Sequence, residues 1–309
     1  MRIFEDVRTV TESFTSLVLT IGSFDGVHLG HQRIIDEVCS TAHRCGGTPA
    51  LMTLDPHPRQ YFTPAHAPNI LTTLKKKLEL IAECGIETCF ILPFEASVAA
   101  MDRRDFLEEI VLKRCQAQHI IVGHDFSFGK GAQGNYAYLA AAAPGCGFAV
   151  KEVPPLILQG ERVSSTLIRE RILQGDLEDV ERLLRRKYAI RGAVIRGRGM
   201  GVQLGFPTAN IHPGNCALPA FGIYAAIAFV DGAAHHAAVN VGIAPTIRHD
   251  EPMVEAHLLD YAGDLVGKEV EVEFHARIRG EKKFESHEAL VRAIDQDVRA
   301  IRVYFGVAQ

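Results

Sequence analysis

The chain has 309 residues, enough for two domains that each bury a core, and its 47% hydrophobic and 23% charged residues are ordinary for a globular protein. A formal net charge of −4 argues against a partner held by bulk positive charge, so neither nucleic acid nor an anionic membrane is expected. Seven cysteines with no Cys-x-x-Cys pair, and fourteen histidines with no zinc-site spacing, argue against a disulfide scaffold and a zinc centre.

The first residues, Met-Arg-Ile-Phe-Glu-Asp, place acid where a signal peptide has its apolar core, and no apolar run approaches the ~20 residues of a membrane span. The expectation is a cytoplasmic protein. Residues 17–21 are a run of Leu, Val, Thr and Ile that predicts a short buried strand. It stops at Gly22, and a loop with Gly22, Gly26 and Gly30 leads into residues 31–38, where Ile34, Ile35 and Val38 have helical spacing. Strand, glycine-rich loop and helix N-terminus together form an anion site, because unpaired N–H groups and a partial positive charge face the loop. His28 and His31 flank that N-terminus. The glycines lie four apart, which excludes the dinucleotide fingerprint, and no Gly-Lys-Ser or Gly-Lys-Thr follows to make a Walker loop. A nucleotide-phosphate site with two histidines is the reading.

Residues 49–54 predict a second buried strand, ended by Asp55-Pro-His-Pro58, a stiff turn that aims His57 from a strand's end. A helix follows over residues 72–84, with Lys75, Lys76 and Lys77 assigned to a solvated face. Strands over 88–92, 119–122 and 148–153 alternate with helices over 104–115 and 137–143, which predicts a parallel, doubly wound sheet. The loop after the 119–122 strand holds four glycines, Phe126 and Phe128. Those rings either face a flat aromatic ligand, with Asp125 or Asn135 as polar handles, or pack the loop on the sheet; the two readings are even. Ser164, Ser165 and Thr166 cap a helix running to about residue 174, and with Arg169 they suit a second phosphate-binding start. A helix over 177–186 closes the first domain, with the boundary at Arg185-Arg-Lys187.

From Tyr188 the texture changes. Short apolar segments over 188–195, 222–230, 237–241, 253–259 and 270–276, then an amphipathic helix over 286–304, predict a small antiparallel barrel with a C-terminal helix. Between the first two segments, residues 197–210 form a glycine-rich loop, a rigid Phe206-Pro207 and two oxygen-bearing side chains. Such a loop can cradle phosphates and offer Thr208 and Asn210 to Mg²⁺, although spacing alone favours a plain barrel hairpin. Alternation puts Glu255 and His257 on one face of a largely apolar strand. There Glu255 is either a general base or a structural acid paired with Arg277 or Arg279.

Four N-terminal strings carry a resemblance to a known family: Phe24-Asp-Gly-Val-His-Leu-Gly-His31, Asp55-Pro-His-Pro58, Gly123-His-Asp-Phe-Ser-Phe-Gly129 and Ser164-Ser-Thr-Leu-Ile-Arg169. So do three C-terminal strings: Leu204-Gly-Phe-Pro-Thr-Ala-Asn210, Asn240-Val-Gly-Ile-Ala-Pro-Thr246 and Glu255-Ala-His-Leu-Leu-Asp260. The first set contains the HxGH signature of nucleotidylyltransferases, and together they resemble the bacterial bifunctional riboflavin kinase/FAD synthetases. The resemblance implies a Rossmann-like FMN adenylyltransferase over residues 1–186 and a riboflavin kinase barrel over 187–309. It implies ATP at Gly22, Phe24, Asp25, His28, His31, Ser164, Ser165, Thr166 and Arg169, and a flavin at Pro56, His57, Asp125, Phe126 and Phe128. In the kinase it implies ATP and Mg²⁺ at Gly205, Pro207, Thr208 and Asn210, the metal on the last two, and Glu255 as the base. Riboflavin, FMN and FAD are then substrates and products, and partners are small molecules alone, with the chain a monomer or weak homo-oligomer. The alternatives are a monofunctional FAD synthetase with a weakened kinase module, or a non-catalytic flavin- or nucleotide-binding protein.

Overall fold

The structure, a computed structural model, describes residues 1–197, 199–243 and 252–307. Its contacts divide the chain into two compact units, residues 1–68 with 74–165, and residues 69–73 with 166–309.

In the first unit six parallel strands form one sheet: β1 (Arg2–Phe4), β2 (Leu17–Ile21), β3 (Thr48–Asp55), β4 (Thr88–Pro93), β5 (Ala117–Gly123) and β6 (Ala149–Val153). The order across it is β1-β4-β3-β2-β5-β6. All five residues of β2 are buried, as a strand covered on both faces requires. Alternation sends Leu17, Leu19 and Ile21 into one core and Val18 into the other. Helices α1 (Leu29–Cys45) and α3 (Leu74–Glu83) cover the Val18 face through Ile35, Val38, Leu80 and Ile81. Helices α4 (Phe106–Arg114) and α5 (Tyr136–Cys146) cover the other through Phe106, Leu107 and Leu139. A short α2 (Pro58–Phe62) lies between β3 and α3. The doubly wound sheet is as expected; the three-residue edge strand β1, too short to show a period, is additional. The helix expected over 104–115 winds partly as a π-helix, with Cys115 N donating to Ile110 O at 3.0 Å.

The chain steps outward from β2 through β3 to β4 and then returns to place β5 on the other side of β2. The carboxyl ends of β2 and β5 therefore flank a topological switch point, where open α/β sheets hold their ligands.

The second unit is a closed antiparallel barrel with helices. Its strands are β7 (Tyr188–Ile195), β8 (Ala209–Ile211), β9 (Gly222–Val230), β10 (Ala233–Ile243), β11 (Pro252–Leu258) and β12 (Glu269–Gly280), in the cyclic order β7-β8-β11-β10-β9-β12. Strict alternation builds it: Val270, Val272 and Phe274 point inward while Glu269, Glu271 and Glu273 do not. Five of the strands match the expected segments. The sixth, β8, lay hidden in the glycine-rich motif because three residues show no periodicity. The C-terminal α8 (His287–Tyr304) packs Ile301 and Val298 against Ala225, Leu259 and Phe305. Helices α6 (Ser165–Gln174) and α7 (Leu177–Leu184) precede the barrel, and α7 packs on β7 and β12. Their contacts group residues 166–184 with the barrel, whereas the sequence boundary near Arg186 attaches them to the first domain.

Candidate active sites

At the carboxyl end of β2 the backbone turns sharply. Phe24 and Val27 are buried with φ of +48° and +40°, and Gly26 has φ of +85°. A β-branched residue in that region is a costly conformation held by its surroundings, a mark of a functional loop. His28, 5% exposed, is the N-cap of α1, and its Nδ1 accepts the His31 N–H at 3.3 Å. A nitrogen that accepts carries no proton, so the neutral His28 ring bears its hydrogen on Nε2. The two imidazoles stack with centroids 3.6 Å apart and planes 16° apart, and Phe24 lies 5.0 Å from His31. Gly30 permits this stack: a Cβ there would sit 3.1 Å from two atoms of the His28 ring. Asp25 is 3% exposed, and its carbonyl accepts the Ser165 Oγ hydroxyl at 2.9 Å, which ties the loop to the first residue of α6. Two stacked imidazoles over a helix N-terminus can hold negative charge from both the dipole and the rings.

The neighbouring strand ends hold the other N-terminal candidates. Asp55-Pro-His-Pro58 ends β3 at Asp55 as expected, and its last residue also starts the short α2. His57 caps it, accepting the Arg59 N–H at Nδ1 (3.1 Å), while Gln60 Oε1 accepts the His57 N–H (3.3 Å). Pro56 is exposed. Beyond β5, Phe128 is buried in the core, 5.2 Å from Phe106 and stacked 5.3 Å from the half-buried Phe126. For Phe128 the packing reading is the one that describes its surroundings. Asp125 forms an ion pair with Arg162 at 2.6 Å; burial raises its carboxyl pKa, but the hydrogen bond and charge of Arg162, with a backbone hydrogen bond and the nearby His124, together outweigh this and leave it below the ordinary value. Asn135 accepts the Tyr138 N–H at 3.0 Å as the cap of α5 rather than a free handle. Ser164 precedes α6 directly, and Thr166 and Arg169 belong to the second unit, where Arg169 Nε donates to Asn69 O at 2.6 Å.

One residue corrects the sequence reading outright. Lys77, assigned with Lys75 and Lys76 to a solvated face, is 7% exposed. Its Nζ donates to Ser23 O at 3.1 Å and to Thr53 Oγ1 at 3.0 Å. Lys77 lies three and four positions before Leu80 and Ile81, so helical spacing puts it on the buried face of α3, while Lys75 is exposed. That geometry was the available signal.

In the barrel, cross-strand register brings three side chains into one row: Asn210 on β8 opposite Glu255 on β11, and Glu255 opposite Asn240 on β10. Asn240 Nδ2 donates to Glu255 Oε2 at 3.3 Å. The arginines expected as structural partners of Glu255 are engaged elsewhere, Arg279 on Asp297 at 2.8 and 2.7 Å and Arg277 on Phe221 O at 2.7 Å. Asn240 was missed because register cannot be read from one strand. His257 Nδ1 lies 2.8 Å from Pro207 O, which can only accept, so that nitrogen carries the proton and anchors the Phe206-Pro207 segment. Asn210 is 9% exposed and Thr208 exposed, and among the described residues neither side chain makes a hydrogen bond. Gly197 is needed there, since a Cβ would stand 2.2 Å from Asn210 Nδ2. Two neutral hard oxygens, from Thr208 and Asn210, suit an Mg²⁺ whose other ligands are water and phosphate. Among the described residues no three His, Cys, Asp or Glu side chains converge as a metal site of their own. Gly205 has φ of +86° at the turn before Phe206. Arg198 and residues 244–246 of the Asn240 motif lie outside the described residues.

Two family models match consecutive parts of the chain, FAD synthetase over residues 10–167 and riboflavin kinase over residues 184–305. A bifunctional riboflavin kinase/FMN adenylyltransferase of Pseudomonas fluorescens is 35% identical over 303 residues, covering 98% of this chain and 97% of that one. Its namesake in Bacillus subtilis (strain 168) is 32% identical, covering 96% and 95%. A solved structure from Streptococcus pneumoniae, described as a macrolide-efflux protein, is 26% identical with a TM-score of 0.85, covering 97% of this chain and 98% of that one. Among the described residues no helix is long and apolar enough to cross a membrane.

Proposed function

This chain belongs to the bifunctional riboflavin kinase/FMN adenylyltransferases, and from that premise we propose which of its residues carry each reaction. It phosphorylates riboflavin to FMN and adenylylates FMN to FAD. Residues 1–186 supply the adenylyltransferase and 187–309 the kinase, with ATP and Mg²⁺ entering as substrate in both.

In the kinase, Glu255 takes the proton of the riboflavin 5′-hydroxyl as that oxygen attacks the ATP γ-phosphorus, and ADP leaves. The Asn240 amide holds the carboxylate in place. Thr208 and Asn210 meet the Mg²⁺ that travels with the nucleotide phosphates, while Gly205 and Pro207 shape the backbone beside them. The metal supplies charge neutralisation of the phosphates; these residues orient it.

In the adenylyltransferase, an FMN phosphate oxygen attacks the ATP α-phosphorus and the bond to the pyrophosphate oxygen breaks. The attacking group is already an anion, so no base is needed. His28 and His31, at the start of α1, meet the charge that builds on the transferred and leaving oxygens. Phe24, Asp25 and Gly22 hold the loop that presents them, and Ser165 fastens it. Ser164, Thr166 and Arg169 are assigned to the ATP phosphates by motif. The flavin lies by Pro56, His57, Asp125 and Phe126, with Phe128 supporting Phe126 from beneath.

The observation that carries this division is the stacked His28–His31 pair capping α1 at a sheet switch point. The working protein is cytoplasmic, a monomer or weak homo-oligomer, with small molecules as its partners. Incubation with riboflavin, ATP and Mg²⁺ yields FMN and then FAD; absence of FAD when FMN is supplied overturns the reading.

A further inference from the structure

Lys77 stands outside every motif and every role assigned above. Its side chain is buried, and burial lowers its pKa, opposed by the charges of Asp25 and Asp55. A buried cation is expensive unless it is hydrogen-bonded to good acceptors. Its two acceptors are informative. Ser23 is the second residue after β2, inside the loop that carries His28, and Thr53 is two residues from the end of β3, whose next residues are Pro56 and His57. Thr53 Oγ1 itself donates to Ser23 O at 3.2 Å, so the three groups close a ring of hydrogen bonds beneath two adjacent loops.

Resting on the assignment of His28 and His31 to adenylyl transfer, we infer that Lys77 is a positioning residue for that reaction. It pins the nucleotide loop after β2 to the end of β3, from which the flavin-side turn leaves, so the two substrates are held in one register. Without the ammonium, Ser23 O keeps only the Thr53 hydroxyl, and the relative placement of residues 22–28 and 55–58 loosens. A misplacement near 1 Å between reacting groups costs on the order of 10²-fold in rate.

The test compares Lys77→Met and Thr53→Val with the parent chain, reading KM for ATP, KM for FMN and kcat for FAD formation, with riboflavin phosphorylation measured on the same samples and a melting curve for each. For Lys77→Met the expected result is a fall of about 10²-fold in kcat/KM for FAD formation, with KM for both substrates raised and riboflavin phosphorylation unchanged. Thr53→Val keeps the Lys77 bond to the nucleotide loop and frees the β3 end, so KM for FMN rises while KM for ATP holds. A role in stability alone lowers the melting temperature and leaves both KM values and kcat as in the parent; that result overturns the inference. Should Lys77→Met fail to fold, Thr53→Val decides alone, and an unchanged KM for FMN overturns it. A parent chain that makes no FAD from FMN would instead fail the underlying assignment, which keeps the two failures distinct.

Discussion

The two proposed active sites are built from opposite materials. In the α/β unit the site is made of backbone: a helix N-terminus, a loop with buried Phe24 and Val27 at positive φ, and two imidazoles stacked on the first turn. In the barrel it is made of side chains standing on three strands, Asn210, Glu255 and Asn240, with Thr208 exposed beside them. The difference follows the chemistry. Adenylyl transfer has an ionised nucleophile and needs fixed positive potential, which oriented peptide dipoles supply without reorganising. Phosphorylation of a hydroxyl is helped by a positioned proton acceptor, a part suited to a carboxylate side chain.

That contrast is broken most directly at Glu255. Glu255→Gln keeps the shape of the Asn240 contact and removes the proposed base, so riboflavin phosphorylation is expected to fall by about 10²–10⁴-fold while FAD formation from supplied FMN is untouched. Coupled assays of the two steps on one preparation measure both; equal loss in the two reactions contradicts the division. His31→Ala is the mirror test, with FAD formation reduced about 10²–10³-fold and riboflavin phosphorylation kept.

The two glycines beside these groups sharpen the comparison at a smaller scale. Gly197→Ala drives a methyl to within 2.2 Å of Asn210 Nδ2, at the end of a side chain that can swing away. The barrel therefore still folds, and KM for ATP in the kinase assay rises about tenfold or more by misplacement of a phosphate-side ligand. Gly30→Ala places its methyl 3.1 Å from the His28 ring, which is wedged against His31 and can yield only a few tenths of an ångström. FAD formation drops in kcat more than in KM, and riboflavin phosphorylation is again the unchanged control.

How much of this was legible in the sequence divides along the same line. The α/β unit wrote itself out as consecutive apolar runs and helical periods, and its histidine motif lies within one twelve-residue stretch, so both fold and histidines could be read locally. In the barrel the row Asn210–Glu255–Asn240 joins residues 15 and 45 positions apart in the chain. Register, which sets that row, is a tertiary fact. Arg277 and Arg279 looked like natural partners for Glu255 by charge alone; the fold gives them Phe221 O, just before β9, and Asp297 on α8 instead. Lys77 failed for a different reason. A lysine triplet reads as solvated by composition, and only the spacing of Lys77 to Leu80 and Ile81 puts it on the helix's apolar face.

The smallest expected effect concerns the helices α6 and α7, which the sequence attached to the first domain and which the contacts group with the barrel. Asp179 on α7 accepts from Arg171 of α6 at 2.8 Å and from Arg182. Burial pushes its carboxyl pKa up, but the two guanidinium hydrogen bonds outweigh this and hold it below the ordinary value near 3.9. A carboxyl whose folded pKa lies below its unfolded one contributes stability that is present above about pH 4 and fades as the pH falls through the folded value. Asp179→Asn therefore lowers the barrel unit's melting transition at pH 7, by an amount equivalent to about 1–3 kcal/mol for hydrogen bonds to a charged group, and the gap between parent and variant narrows as the pH is lowered toward 3. A gap that stays constant with pH would mean that packing, and not the charge, joins these helices. A shift in the α/β unit's transition instead would return them to the first domain.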